Sequence, residues 1–153
     1  MIDSFSKYAE KVTDAILLLV GEGEDYDKIM LYISENKLAD KVFLTGKKSR
    51  EEIALYLNAS DLYIMGSFKE GWPTALMEAV ACGVPACATE FSSVDEIIME
   101  GVNGYIIRNR KEEDFVHGML EAIRLQRPVK NDHVTRYSTE YLKEDLLNYW
   151  NLT

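Results

Sequence analysis

Five short apolar runs, separated by stretches of helical pattern, restrict this fold more than any other feature of the sequence. They are "AILLLVG" (Ala15 to Gly21), "KVFLTG" (Lys41 to Gly46), "DLYIMG" (Asp61 to Gly66), "VPACAT" (Val84 to Thr89) and "GYIIR" (Gly104 to Arg108). Each has the length of a strand, and the first is apolar without alternation, as a strand buried on both faces would be. Helices fill the intervals. Ile2, Phe5, Ala9 and Val12 recur at helical spacing, as do Ile29, Met30 and Ile33 behind the acidic Glu24, Asp25 and Asp27. "SREE" (Ser49 to Glu52) is a capping box opening a helix through Leu57. "SSVDEIIMEG" is helical, Phe115, Met119, Leu120 and Ile123 share a face, and Tyr141, Leu142, Leu146, Tyr149 and Trp150 another behind an N-cap at Ser138. This alternation predicts a Rossmann-like parallel sheet of about five strands with helices on both faces. In such sheets ligands bind beyond the strands' carboxyl ends, here in the loops that begin at Gly21, Gly46, Gly66 and Thr89.

The loop after Gly66 leads into "KEGWPTALMEAVACGVPACAT", where Glu70 and Glu78 flank seven residues. Pro73 is expected at the first helical position and Gly83 just past the last. The amides of Thr74, Ala75 and Leu76 would then point at the loop around Gly71 and Trp72, as an anion site does. Leu76, Met77, Ala79, Val80 and Ala81 surround Glu78, so the helix is expected to be buried nearly all round. A carboxylate there needs donors, since leaving it without them costs several kcal/mol. A vicinal diol such as a ribose supplies two side by side. A glutamate that escapes to solvent, or pairs with a lysine, satisfies the spacing equally well.

Composition narrows the class. The chain of 153 residues is 47% hydrophobic and 28% charged, which suits one globular domain over 1–153. A net charge of -9 excludes a nucleic-acid surface, so any anion site must be built locally. Cys82 and Cys87 lack partners for a zinc site and read as reduced thiols of a cytoplasmic protein. No run approaches the roughly 20 residues of a membrane span, and no signal peptide opens the chain. The triplets at Asn58 and Asn151 would then never be glycosylated. "GEGEDY" lacks the third glycine of a dinucleotide loop. "DYD" (Asp25 to Asp27) has the form of a metal motif, but acids also favour a helix's first turn. His117 and His133 read as surface residues.

"SFKEGWPTALMEAVACGVPACAT", followed by "DEIIMEGVNGYII", resembles the donor-binding signature of family 4 (group 1) retaining glycosyltransferases. "LLLVGEGED", "VFLTGKKSREEI" and "ASDLYIMGS" extend the likeness from about Ser4 to the end of the chain. The resemblance implies the C-terminal nucleotide-sugar-binding half of a two-domain GT-B enzyme of the kind used in polysaccharide biosynthesis. Carried over by position, Glu70 is the catalytic-site residue that meets the donor sugar. Gly71, Trp72, Thr74 and Ala75 would hold sugar and diphosphate, and Glu78 the ribose diol. Gly46 and Lys48 would meet the base through backbone. The family uses no metal and no cofactor beyond the nucleotide-sugar donor, because a helix N-terminus and basic side chains stabilise the leaving diphosphate.

The sequence departs from that family in two ways. A strand with Gly-Arg and a following Lys, which clamp the diphosphate, would precede the helix at Ile2, and neither is present. That strand is the central one of the order 3-2-1-4-5-6. The acceptor-binding domain is likewise not in this sequence. The chain alone is therefore expected to be catalytically inactive, and a non-catalytic nucleotide-sugar-binding or structural module is the alternative.

Overall fold

The computed structural model describes residues 1–151, with the side chains of Leu142, Asp145, Tyr149, Trp150 and Asn151 excluded. The apolar face expected at Leu142, Tyr149 and Trp150, and the triplet beginning at Asn151, lie outside the described residues. Strand and helix alternate in the expected order. The elements are α1 (Ile2–Ala9), β1 (Leu17–Val20), α2 (Tyr26–Glu35), β2 (Val42–Gly46), α3 (Arg50–Ala59), β3 (Tyr63–Met65) and α4 (Thr74–Ala81). They continue as β4 (Ala86–Thr89), α5 (Val94–Ile97), β5 (Gly104–Ile107), α6 (Glu112–Ala122), α7 (Asp132–Thr135) and α8 (Thr139–Asn151).

Local chemistry sets the helix ends. At α3 the Ser49 hydroxyl accepts the Glu52 N–H at 3.2 Å, and the Glu52 carboxylate accepts the Ser49 N–H at 2.8 Å. At α8 the Ser138 hydroxyl accepts the Tyr141 N–H at 3.3 Å, as the N-cap reading required. Pro73 differs from expectation by one residue: it caps α4 with ψ near 85°, outside the helical range. Gly83 ends α4 in the left-handed region, φ +72°. Its N–H donates to Val80 at 2.9 Å and that of Val84 to Ala79 at 3.0 Å, the paired bonds of a Schellman ending.

The pairings between these strands are parallel, and, with the central strand of the expected order absent from this sequence, the five strands divide into two sheets. β1 pairs with β2, and β3-β4-β5 form the other sheet. These correspond to positions 2 and 3, and 4 to 6, of the doubly wound order 3-2-1-4-5-6, with no strand between β1 and β3. Leu17 donates its N–H toward β2, to Lys41, and Tyr63 toward β4, to Pro85. Strand geometry then turns the peptide groups of the next residues, Leu18 and Ile64, into the cleft between the sheets. A cavity of about 1090 Å³ opens there, walled by Leu17 and Leu19 on one side and Leu62 and Ile64 on the other.

The cleft changes what is buried. β1 was expected to be covered on both faces, yet Leu18 is 40% and Val20 44% exposed. The cause is the position of α3, which packs through Leu57 on Ala79 and Val84 at the α4 end of the molecule. One large core nevertheless joins both sheets. Phe5 and Tyr8 of α1, Leu17, Val42, Cys87, Ile107 and the Phe115, Val116 and Met119 face of α6 meet in it. α6 lies so close to β4 that a Cβ on Gly118 would stand 2.7 Å from the Cys87 sulfur. A second core packs Leu76 and Val80 of α4 against β4, α5 and β5.

His133 is not at the surface. It is half-buried, with Nε2 2.7 Å from the Ile97 carbonyl and 3.3 Å from the amide of the fully buried Asn103. His117 is exposed, as expected, with its ring edge-on to Tyr105. No helix among the described residues is long and apolar enough to cross a membrane.

Candidate functional site

The loop from Gly66 to Pro73 leaves the carboxyl end of β3 and carries Glu70 into α4. Its tip has little burial to hold it: Phe68 is 86% exposed and Lys69 is exposed. Polar side chains from neighbouring loops hold its carbonyls instead. The hydroxyl of the fully buried Thr89 donates to the Ser67 carbonyl at 2.6 Å, and that of Ser93 to the Gly71 carbonyl at 3.3 Å. Arg110 reaches the loop from the end of β5. Trp72 is fixed differently, edge-on to the Tyr137 ring at 4.8 Å.

Glu70 is half-exposed, and its carboxylate has no hydrogen bond or ion pair among the described residues. α4 is not buried nearly all round, as expected, and of the alternatives open for Glu78 the structure takes exposure to solvent. The large side chains Leu76 and Val80 turn into the core, whereas Thr74, Ala75, Glu78 and Ala81 are exposed. Alanines count as apolar in a pattern but present a small, open surface. Ala75 and Glu78 together line the cleft between the sheets.

Tyr63 of β3 lines the same cleft as Glu78. Its phenol is pushed up to about 12, first by burial and then by the negative charges of Glu70 and Glu78. The run "DLYIMG" contained this tyrosine, but a strand pattern gives an aromatic residue no special role.

The amides at the start of α4 are fewer than expected. Thr74 donates its N–H to the Trp72 carbonyl at 3.0 Å and Leu76 to that of Pro73 at 3.1 Å. Ala75 alone of the three has no acceptor among the described residues.

Gly46 ends β2 at φ +70°, where its carbonyl accepts the Gly21 N–H at 3.0 Å. The Lys48 side chain folds back on α3, with its ammonium 3.6 Å from the Glu52 carboxylate and 5.9 Å from the centre of the Tyr56 ring. Tyr56 lines the same cleft as Glu78.

Cations do not converge on the site. Arg127 lines the cleft, but its guanidinium is bound to the carbonyls of Ser60 and Asn58. Lys47 pairs with Glu22 at 3.4 Å. Asp25 of the "DYD" motif pairs with Lys28 at 2.6 Å, and among the described residues no three ligating side chains cluster as a metal site would need. The thiol of Cys87 is pushed up to about 12 by burial, and that of Cys82 is raised chiefly by burial and next by Glu78.

The chain is similar to known enzymes in sequence and in fold. It is 36% identical over 106 residues to the N-acetyl-alpha-D-glucosaminyl L-malate synthase of Bacillus anthracis, covering 69% of this chain and 27% of that protein. It is 31% identical over 109 residues to an uncharacterised glycosyltransferase of Methanocaldococcus jannaschii, covering 71% of this chain and 28% of the relative. The chain thus spans under a third of the length of these curated relatives. Its fold matches the Anabaena HepE protein crystallised with UDP, with a TM-score of 0.77 and 16% identity over 99% of this chain and 44% of that one. The family model of glycosyl transferases group 1 matches residues 1–140, and the chain belongs to that family.

Proposed function

We infer that this chain is the donor-binding domain of a retaining glycosyltransferase, which transfers a sugar from a nucleotide-sugar to an acceptor hydroxyl. The observation that carries this reading is the loop that leaves the carboxyl end of β3, bears Glu70 and leads into α4, where Ala75 and Glu78 line the cleft. In parallel sheets that edge is where ligands bind. The presence of UDP in the structure of a protein of the same fold supports a nucleotide-sugar as the ligand.

In this reading Glu78 accepts the two hydroxyls of the ribose, and the backbone of Gly46 to Lys48 meets the base across the cleft. The Ala75 amide, with Gly71, Trp72 and Thr74 beside it, faces the diphosphate. Glu70 orients the sugar and stabilises charge at the reacting carbon, where the anomeric configuration is retained. A carboxylate with no hydrogen-bond or ion-pair partner among the described residues is suited to that work, since its oxygens are open to a ligand's donors. The leaving diphosphate is stabilised without a metal, by backbone amides. An acceptor-binding domain outside this sequence supplies the other wall of the site, so the chain binds donor but does not transfer alone.

Calorimetry with UDP tests the reading. Glu78→Gln should weaken binding about tenfold, the worth of one charge-assisted bond to the diol. An unchanged dissociation constant would remove Glu78 from the site. Chelator should leave binding intact, and its loss would return the "DYD" segment to consideration.

A further inference from the structure

We propose that Arg110 is a positioning residue that sets the placement of Glu70 by bracing the β3–α4 loop against the β4–α5 loop. The proposal rests on the assignment of Glu70 to the donor sugar. The Arg110 guanidinium lies 3.2 Å from the Phe68 carbonyl, 3.5 Å from that of Gly66 and 3.4 Å from that of Glu90. Its carbon stands 4.4 Å from the centre of the Phe68 ring. One side chain from the end of β5 thus reaches over the carboxyl ends of β4 and β3 together.

Two comparisons within the molecule favour this role over that of an ordinary surface arginine. Arg108, two residues earlier, spends its charge on Glu100, with bonds of 3.0 and 2.6 Å. Arg110 has no carboxylate partner among the described residues and contacts only backbone carbonyls and a ring. The Glu70 carboxylate, in turn, has no hydrogen bond or ion pair among the described residues, so its position follows from the backbone of its loop. That backbone is held at Ser67 and Gly71 by buried hydroxyls from below. Among the described residues, the side chain that reaches the Gly66 and Phe68 carbonyls is that of Arg110.

The geometry needs a guanidinium. Five N–H donors in a rigid plane serve several acceptors while the plane stacks on an aromatic face. A lysine ammonium keeps the charge but not the planar fork. Arg110→Lys is therefore expected to behave like Arg110→Gln, which separates bracing from simple charge.

The loop contains its own reporter, Lys69, a trypsin site beside Glu70. In the full 153-residue chain without ligand, Arg110→Gln should speed cleavage after Lys69 about tenfold, because cleavage follows the population of the opened loop. Arg110→Lys should not restore protection, and the melting temperature of both variants should stay near that of the parent. Unchanged cleavage in Arg110→Gln, or full protection in Arg110→Lys, overturns the brace. Calorimetry then links the loop to the sugar. Arg110→Gln should remove the affinity that UDP-glucose or UDP-N-acetylglucosamine gains over UDP, and leave UDP itself unchanged. An equal loss for UDP would place Arg110 at the nucleotide and overturn the positioning role. If the parent chain binds none of these, the donor-binding reading fails while the proteolysis result still decides the brace.

Discussion

The β1–β2 sheet and the β3–β4–β5 sheet are built from similar apolar runs but buried to different degrees. In β4 all four residues are buried, and the α4 residues Leu76, Ala79 and Val80 behind it have no exposure. In β1 every second residue is open to the cleft, and Phe43 of β2 is 43% exposed. Composition does not explain this: "LLLV" is more apolar than "ACAT". Coverage does. β4 lies between two strands with helices on both faces, whereas β1 has a neighbour on one side. The hydrophobic effect rewards area removed from water, so an apolar strand contributes only what its surroundings cover.

The largest test of this contrast is truncation. Leu76→Ala should cost about 2–5 kcal/mol, as deletions at fully buried sites do. Leu18→Ala, on the open face of β1, should cost under about 1 kcal/mol. Equal shifts in denaturant midpoint would break the comparison.

Hydrogen exchange resolves it residue by residue. The amides of Cys87 and Ala88 should exchange only with global unfolding, and those of Leu18 and Ile64, turned into the cleft, should exchange at least about a hundredfold faster. Uniform protection across β1 and β4 would mean that the two sheets open as one unit.

The smallest effect concerns the outer edge of the tight sheet. Glu100 accepts hydrogen bonds from Arg108 and from the Ile106 N–H of β5, and its carboxyl is held below the usual range, chiefly by Arg108. A lowered value means stability that is present above the ordinary carboxylate pKa and lost as pH falls through the folded one. Glu100→Gln should remove that portion of the acid sensitivity, worth under about 1 kcal/mol because the pair is partly exposed. A pH–stability curve identical to the parent's would show that the edge is held by backbone alone.

Much of this was legible in the sequence, through signals of short range. The five strands followed from apolar runs, α3 from the Ser49–Glu52 box, and the end of α4 from Gly83. Features made by distant residues were not legible. α4 reads as buried nearly all round because alanine is apolar, yet Ala75 and Ala81 are exposed. His133 reads as a surface residue because its partners, Ile97 and Asn103, lie more than one element away. Arg110 spans 44 positions to Gly66, and no periodicity records such a reach. The division of the sheet follows from the family resemblance, whose central strand is not in this sequence, and not from the run "AILLLV" itself.

The core shared by α1 and α6 has a mechanical consequence. Gly46 and Lys48 stand on one sheet, Glu70 and Glu78 on the other, and no ladder of hydrogen bonds ties the two together. What links them is apolar contact between Phe5, Tyr8, Phe115 and Met119, with Lys7 and Glu112 paired outside it. Hydrogen bonds resist displacement along a direction, whereas apolar contacts allow small sliding at little cost. The aperture between the two rims is therefore a compliant coordinate of the molecule, stiff within each sheet and soft between them.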